Sequence, residues 1–110
     1  MNYSKLDDKE LLPLIYKEDE NAFGEIYNRY WKRIYATALN YLQSSQAAED
    51  IVQDVFLKIW TNKDKLLQIR EFKPYLLVTA RNLVISSLRN KVFHLYLNSE
   101  EQVEEEALLP

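Results

Sequence analysis

Glycine and proline interrupt regular structure more readily than other residues, and this 110-residue sequence contains only one glycine and three prolines. Hairpins and phosphate-binding loops need residues that adopt positive φ, which a single glycine cannot supply. Leu, Glu, Lys, Gln and Ala, which favour helices, are plentiful. The sequence therefore predicts an all-α fold, a compact bundle of about four helices, and argues against a nucleotide-binding fold.

The length fits one domain, since most domains have roughly 100 to 150 residues. The absence of cysteine excludes disulfides, thiolate nucleophiles and Cys-ligated metal sites, and it is typical of a reducing compartment. No N-terminal segment resembles a secretion signal, and no apolar run is long enough to span a membrane. We therefore expect a cytoplasmic protein without a membrane span.

Charge divides the chain into three segments. Residues 1–60 carry 7 basic and 10 acidic side chains, residues 61–97 carry 7 and 2, and residues 98–110 carry 0 and 5. We predict a helical domain over residues 1–97, with its last helix fraying over residues 91–97, followed by an acidic flexible tail or linker over residues 98–110. The middle segment is typical of a polyanion-binding surface, although the same charges scattered around a solvated helix would have no such role.

Signals for the first helix conflict with one another. Asp7 can cap a helix and Glu10 can complete a capping box, because it lies three residues further on. Pro13 follows the first turn, where its ring crowds the preceding turn. The first helix is therefore either kinked or begins near Leu12.

The second helix is expected to begin near Asp19 or Asn21 and to end at about Leu42, because its apolar residues recur at spacings of three and four. We interpret its aromatic residues as core and rim packing rather than as a platform for stacking bases. These aromatic residues are Tyr27, Tyr30, Trp31, Tyr35 and Tyr41.

Ser44 and Ser45 can cap a third helix that runs from about Gln46 to Thr61. Five residues opposite its apolar side share one stripe because their separations are three, four and seven. Leu57 is unusual there, since an apolar residue among acids and an amide is typical of a partner-binding patch, although a single exposed leucine is also ordinary. The stripe contains Asp50, Gln53, Asp54, Leu57 and Lys58.

Residues 62–71 are predicted to form a basic loop held to the body by Leu66, Leu67 and Ile69. A fourth helix follows, with Pro74 in its first turn, where its missing N–H is not needed. The predicted inner face contains Leu77, Ala80, Leu83, Val84 and Leu88. The outer face contains Tyr75, Thr79, Asn82, Ser86 and Arg89, and hydroxyls, amides and guanidinium groups suit contacts to bases and phosphates.

Three strings of residues resemble region 2 of bacterial RNA polymerase sigma factors, in particular the extracytoplasmic-function group. They are residues 22–30 (AFGEIYNRY), 48–60 (AEDIVQDVFLKIW) and 75–85 (YLLVTARNLVI) with Leu88 and Arg89. The resemblance covers roughly residues 7–91 in the family's order and spacing. The middle string is the most specific, because Ala-Glu-Asp and Gln-Asp precede a Phe and a Trp.

The resemblance implies a role in transcription initiation, with the third helix bound to core RNA polymerase at the clamp helices of its largest catalytic subunit. Asp50, Gln53 and Asp54 would face basic and polar groups there, with Leu57 and Trp60 as nearby apolar residues and Lys58 on the same stripe. For Trp60 the alternative is packing in the core, next to Val52 and Phe56.

The resemblance also implies that the segment over residues 62–91 opens the promoter and reads the single-stranded non-template strand of the minus-10 element, holding a flipped base in a pocket of the loop. Phosphate contacts would come from Lys63, Lys65, Arg70, Lys73, Arg81 and Arg89. Base contacts would come from Thr79, Asn82 and Ser86, and stacking from Phe72 or Tyr75, which can alternatively seal the end of the core.

Related sigma factors usually carry a second, helix-turn-helix domain that reads the minus-35 element, and no such pattern follows here. Either the chain is one domain of a longer protein, or the protein acts without that domain. An anti-sigma factor is a further candidate partner. The alternative function is a helical protein-interaction module or regulator that resembles a sigma domain but does not read DNA.

We do not expect an enzyme. The only histidine, His94, has no nucleophile beside it, and Glu49 with Asp50 lacks the second cluster that a metal site requires. The sequence indicates neither a cofactor nor a metal.

Overall fold

A computed structural model describes the backbone of residues 1–108 and the side chains of residues 1–97. Its four α-helices are α1 (Asp8–Tyr16), α2 (Glu20–Leu42), α3 (Ser45–Thr61) and α4 (Phe72–Leu108). Short 3₁₀ helices lie at Tyr3–Lys5 and Lys63–Gln68. The described backbone contains no β-strand, and the prediction of an all-α fold with about four helices is confirmed.

The start of α1 is fixed by a capping box. The Asp7 carboxylate accepts a hydrogen bond from the Glu10 backbone N–H at 2.8 Å, and the Glu10 carboxylate accepts one from the Asp7 N–H at 3.3 Å. The helix therefore begins at Asp8, so a start near Leu12 is wrong, and Pro13 is accommodated inside the helix. The capping box satisfies two N–H groups at the start of the helix, while Pro13 lacks the N–H that would bond one turn back.

Helix α3 has the predicted serine cap, and α2 begins beside Asp19, one of its two predicted starts. The Asp19 carboxylate accepts hydrogen bonds from the N–H groups of Asn21 and Ala22, and the Ser44 hydroxyl accepts one from Ala47. Helix α2 ends at Leu42 and is capped by Gln43, whose left-handed backbone conformation places its nitrogen 2.8 Å from the Leu39 carbonyl oxygen. Satisfying these terminal groups sets the helix boundaries.

The core lies where α2 packs along α3 and α4 crosses both, while α1 and the second 3₁₀ helix close one end. Each fully buried Ile or Leu there stabilises the fold by about 1.5–3 kcal/mol relative to its exposure. Buried α2 and α3 residues include Ile26, Ile34, Ala38, Ile51, Val55 and Ile59.

The inner face of α4 differs from the prediction by one position. Phe72, Leu76, Ala80 and Val84, spaced by four residues, are buried, whereas Leu77 is only partly buried. Residues four apart remain on one side of a helix for several turns. Docking of the first turn of α4 therefore decides which of these series is buried along the helix.

The connector, defined here as residues 62–71, is held to the body by two of the three predicted residues. Leu66 is buried and Ile69 packs against the core, but Leu67 is exposed. Residues three apart eclipse each other in a 3₁₀ helix, so Leu66 and Ile69 share a side that Leu67 does not.

Helix α4 continues through residues 91–97, so the prediction that it frays there is wrong. No glycine or proline occurs between Pro74 and Pro110, so nothing in the sequence forces the helix to stop. The predicted flexible acidic tail falls on residues whose side chains lie outside the described part of the chain. Within the described residues, no helix is both long and apolar enough to cross a membrane.

Candidate functional site

The outer side of α3 carries the predicted partner-binding stripe. All five residues are exposed to solvent, and the exposed fraction of Leu57 reaches 60%. The Gln46 side-chain amide donates a hydrogen bond to Asp50 at 3.0 Å, which orients that carboxylate along the helix. We call this set the docking stripe, and it contains Asp50, Gln53, Asp54, Leu57 and Lys58.

An aromatic groove beside the docking stripe was not anticipated from the sequence. The α2 residues Phe23, Tyr27, Trp31 and Tyr35 recur every four residues and line the cleft between α2 and α3. Cavities of 540 Å³ and 520 Å³ lie along this cleft, and both are lined by Tyr27 and Gln53. The stripe and the groove therefore form one continuous surface. The spacing of four was visible in the sequence, but the side of α2 that meets α3 was not.

Ring contacts hold the groove together. The ring centroids of Tyr27 and Phe56 are 4.7 Å apart, and those of Phe23 and Trp60 are 5.1 Å apart. Such tilted or edge-to-face pairs typically add about 0.5–1.5 kcal/mol beyond the burial of their area. Trp60 is thus partly buried in the groove wall and packs against the core, as the core-packing alternative expects, and its contact with a partner stays a prediction.

Lys63, a predicted phosphate ligand, is already engaged within the fold. Its ammonium lies 4.9 Å from the centroid of the Trp60 ring and 3.4 Å from a carboxylate oxygen of Glu18. A cation above an indole face and beside a carboxylate is less free to move to a phosphate. The structure therefore separates Lys63 from the other predicted cations.

A cationic surface extends from the connector along α4. Its five basic side chains are all exposed, and the described residues provide no ion pair for any of them. Asn82 and Ser86 are exposed beside them, whereas the Thr79 hydroxyl donates to the Tyr75 carbonyl at 2.9 Å. We define the cationic surface as Lys65, Arg70, Lys73, Arg81 and Arg89.

A cavity of 640 Å³ opens where α4 begins. Its walls come from the connector, from the first turn of α4 and from α1, including Lys9, which the sequence did not suggest. Phe72 lines it but is only 4% exposed and packs against Tyr30, with ring centroids 6.0 Å apart. Phe72 therefore seals the core, and Tyr75, which is partly buried, presents more of its ring than Phe72 does.

Arg29 fixes the α1 wall of this cavity. Its guanidinium donates to Asp8 and Glu25, both at 3.0 Å, and to backbone carbonyls that include that of Leu6. Burial opposes the charge on Arg29, but these carboxylates raise its pKa overall. One side chain thereby ties the N-terminal segment to α2.

Tyr30 adds a second link to the same carboxylate, since its hydroxyl donates to Asp8. Burial, together with this hydrogen bond to the Asp8 carboxylate, raises the pKa of Tyr30 to about 12. Nearby, the Tyr3 hydroxyl donates to Asp19 at 2.7 Å, and this bond lowers the pKa of the Asp19 carboxyl. The α1 wall is thus held by neutral phenols and charged groups together.

The described part of the chain also bears on metal binding and on His94. Within the described residues, no group of three or more His, Cys, Asp or Glu side chains is arranged to hold a metal ion. His94 lies on the exposed part of α4, and its ring neighbours that of Phe93 at 6.3 Å.

The fold and these surfaces define a class: a small all-α domain in which an acidic and apolar surface on α3 is distinct from a cationic one on the connector and α4. The family model of sigma-70 region 2 matches residues 26–93, which is more than half of the chain. The chain therefore belongs to the sigma-70 region 2 family.

Curated relatives agree with this assignment. The chain is 33% identical over 92 residues to the ECF RNA polymerase sigma factor SigW of Bacillus subtilis, covering 84% of this chain and 49% of SigW. It is 34% identical over 71 residues to the probable RNA polymerase sigma factor RfaY of Xanthomonas campestris, covering 64% of this chain and 18% of RfaY. It is also similar to the ECF RNA polymerase sigma factor BldN of Streptomyces coelicolor, with 26% identity over 86% of this chain and 36% of BldN.

The chain thus spans about half the length, or less, of the curated relatives it matches. No solved structure matches it.

Proposed function

We propose that this chain acts as region 2 of an extracytoplasmic-function sigma factor in transcription initiation. It binds core RNA polymerase through α3, and it recognises and melts the promoter minus-10 element through the connector and α4. The main support is the separation of an acidic and apolar surface from a cationic one on a chain of this family. In this proposal it works in the cytoplasm by binding rather than by catalysis.

The docking stripe and the aromatic groove bind the clamp helices of the polymerase's largest catalytic subunit. Leu57 supplies an apolar anchor that is 60% exposed, and Asp54 and Gln53 surround it with polar groups. Interfaces commonly place an apolar anchor inside a polar rim. Asp50 and Asp54 lie one turn apart and repel each other slightly, so a cationic partner relieves a cost present in the free chain.

The cationic surface binds the phosphates of the non-template single strand. Its five side chains lie on the connector and along α4, where Lys73, Arg81 and Arg89 are each rotated by about 80° from the last, so a strand that contacts all of them winds partly around the helix. Asn82 and Ser86 are exposed on α4, and helical spacing places both on the side of Arg89, where they can offer hydrogen-bonding groups to bases.

The cavity at the start of α4 holds a base flipped out of the stack. Lys9, Arg70 and Lys73 line it and can donate hydrogen bonds, while Asp7 and Glu71 can accept them. Unstacking costs a few kcal/mol, which contacts inside the cavity and along the phosphates offset.

A pull-down of core RNA polymerase tests the docking part. Leu57→Glu is expected to abolish binding, because it places a charge where an apolar anchor is needed. Tyr41→Glu is the matched control, since Tyr41 is also 60% exposed but lies at the far end of α2. Circular dichroism should show unchanged helicity in both variants. Equal binding by both would contradict α3 as the docking surface.

Single-strand binding distinguishes this proposal from the alternative of an interaction module that does not read DNA. The proposal predicts that minus-10 non-template oligonucleotides bind better than scrambled ones, with an affinity that falls as salt rises. An interaction module would bind polymerase while showing neither dependence. An anti-sigma factor as a further partner stays a prediction.

A further inference from the structure

One part of the aromatic groove combines aromatic rings with a carboxylate. Among the described residues, the lining of its 540 Å³ cavity includes three aromatic rings, one carboxylate, one amide and no basic side chain. We call this cavity the Glu49 pocket, and its lining consists of Tyr27, Trp31 and Tyr35 of α2 and Glu49, Val52 and Gln53 of α3. One side of the pocket is therefore aromatic, and the other is mainly polar.

The aromatic side favours a positively charged group. The rings of Tyr27 and Trp31 are nearly parallel, with 18° between their planes and 6.4 Å between their centroids. The face of an aromatic ring carries partial negative charge and attracts cations, and tryptophan attracts them most strongly. The ammonium of the neighbouring Lys32 lies 5.8 Å from the centroid of the Trp31 ring. That distance is close to the limit of about 6 Å for this attraction, so a cation inside the pocket can approach the ring more closely.

Glu49 provides the negative charge that such a group needs. Its side chain is exposed and forms no hydrogen bond or ion pair with any residue whose side chain is described, and the same is true of Gln53 one turn further on. Asp50 and Asp54 are the next residues along α3, so the surface around the pocket is negative. Lys58, the only basic residue of α3, lies about 14 Å from Glu49 along the helix axis. Charge complementarity therefore favours a cationic occupant.

The chemistry of the pocket distinguishes three kinds of side chain as occupants. An apolar side chain would remove water from the Glu49 carboxylate without pairing it, which is costly. A lysine ammonium would pair with Glu49, but it is compact and strongly hydrated and cannot lie flat on a ring. An arginine guanidinium is planar, more weakly hydrated and has several N–H donors, so it can stack on Trp31 and bond to Glu49 at once.

We propose that the Glu49 pocket binds an arginine side chain of the protein partner that covers α3. The guanidinium stacks on the Trp31 ring and donates hydrogen bonds to the Glu49 carboxylate and to the side-chain carbonyl of Gln53. Arginine is enriched among the residues that dominate binding at protein interfaces. The inference rests on the proposed function for the identity of the partner, core RNA polymerase, and it names the group by which that partner is recognised.

The affinity of single variants for core RNA polymerase tests the pocket. Glu49→Gln keeps the shape of the side chain but removes its charge, and it should weaken binding about tenfold or more. Trp31→Leu should also weaken binding, whereas Trp31→Phe keeps a ring face and should retain most of the affinity. Asp64→Asn is the matched control, because it removes one negative charge at an exposed position on the second 3₁₀ helix, outside the pocket. Its affinity should equal that of the unchanged chain.

Other results would identify a different occupant. If Glu49→Gln bound polymerase as tightly as the unchanged chain, or more tightly, the occupant would be apolar and the proposal would be overturned. Weaker binding by Glu49→Gln with full binding by Trp31→Leu would show a cation that does not stack, and would overturn it as well. Circular dichroism and thermal unfolding check that all variants are folded.

NMR of the ¹⁵N-labelled chain without polymerase tests the chemistry independently of the proposed function. The chain has two tryptophans, and Trp31→Phe identifies the indole N–H signal of Trp31 by removing it. N-acetylarginine amide at millimolar concentrations should shift this signal more than N-acetyllysine amide does, and Glu49→Gln should remove the difference. Equal shifts with the two amides, or no shift with either, would overturn the proposal. Failure of the chain to bind polymerase would contradict the proposed function but would leave this result unaffected.

Discussion

Replacing Arg81 with glutamine should change how strongly DNA binding depends on salt, whereas the same replacement of Lys63 should not. Arg81 is exposed on α4, and the described residues provide no ion pair for it. Lys63 already lies 3.4 Å from Glu18 and above the Trp60 ring. The two substitutions remove the same charge, but only Arg81 has a free charge to offer a phosphate.

The expected change in the salt dependence of binding follows from the number of cations without an ion pair. For single strands, each phosphate contact contributes about −0.7 to the slope of log affinity against log salt. Five contacts from the cationic surface give a slope of about −3.5, and Arg81→Gln should reduce it to about −2.8. At 0.1 M salt this corresponds to about fivefold weaker binding. Lys63→Gln should keep the slope near −3.5.

Fluorescence anisotropy of a labelled minus-10 non-template oligonucleotide, titrated between about 25 and 200 mM salt, measures these slopes. An equal loss for Lys63→Gln and Arg81→Gln would refute the assignment of free and engaged cations. An affinity that does not change with salt concentration would contradict phosphate binding by the cationic surface.

Three further predictions concern stability. Gly24→Ala should stabilise the fold by about 1 kcal/mol in urea unfolding, because a Cβ there meets no atom within 4 Å and alanine favours the interior of α2. Asp7→Ala should destabilise it by roughly 1 kcal/mol through loss of the α1 cap, whereas Asp7→Asn should preserve most of it. The stability that Tyr30 gains from its raised pKa is complete below its ordinary value of 10.0 and is lost as the pH rises through about 12. The free energy of unfolding should therefore fall by roughly 2 kcal/mol less at alkaline pH in Tyr30→Phe than in the unchanged chain. Equal falls in the two chains would contradict this.

Features set by neighbours in the sequence were predictable. Asp7 and Ser44 each form the cap that their identity and spacing indicated, and Asp19 caps the helix that the sequence predicts to begin near it. Helix caps depend on groups two or three residues away, so the sequence contains the whole interaction. The exposure of the docking stripe was likewise predictable, because burial of the broad apolar side of α3 leaves the opposite side of that helix in solvent.

Features set by contacts between elements were less predictable. The engagement of Lys63 requires Glu18, which is far away in the sequence, and the aromatic groove requires a particular face of α2 against α3. Leu76 rather than Leu77 is buried for the same reason, since docking of the first turn of α4 sets its rotation. The sequence predicts fraying of α4 over residues 91–97 ahead of the acidic segment, but no glycine or proline lies there to end the helix.

The central claim is that one small domain joins polymerase and unpaired promoter DNA through separate surfaces. Anisotropy of the minus-10 non-template strand in the presence of core RNA polymerase, with and without the chain, tests it most directly. The account predicts that the chain and polymerase together bind the strand more tightly than either alone, and that Leu57→Glu or Arg81→Gln each weakens this gain. Binding by polymerase that is the same with and without the chain would contradict it.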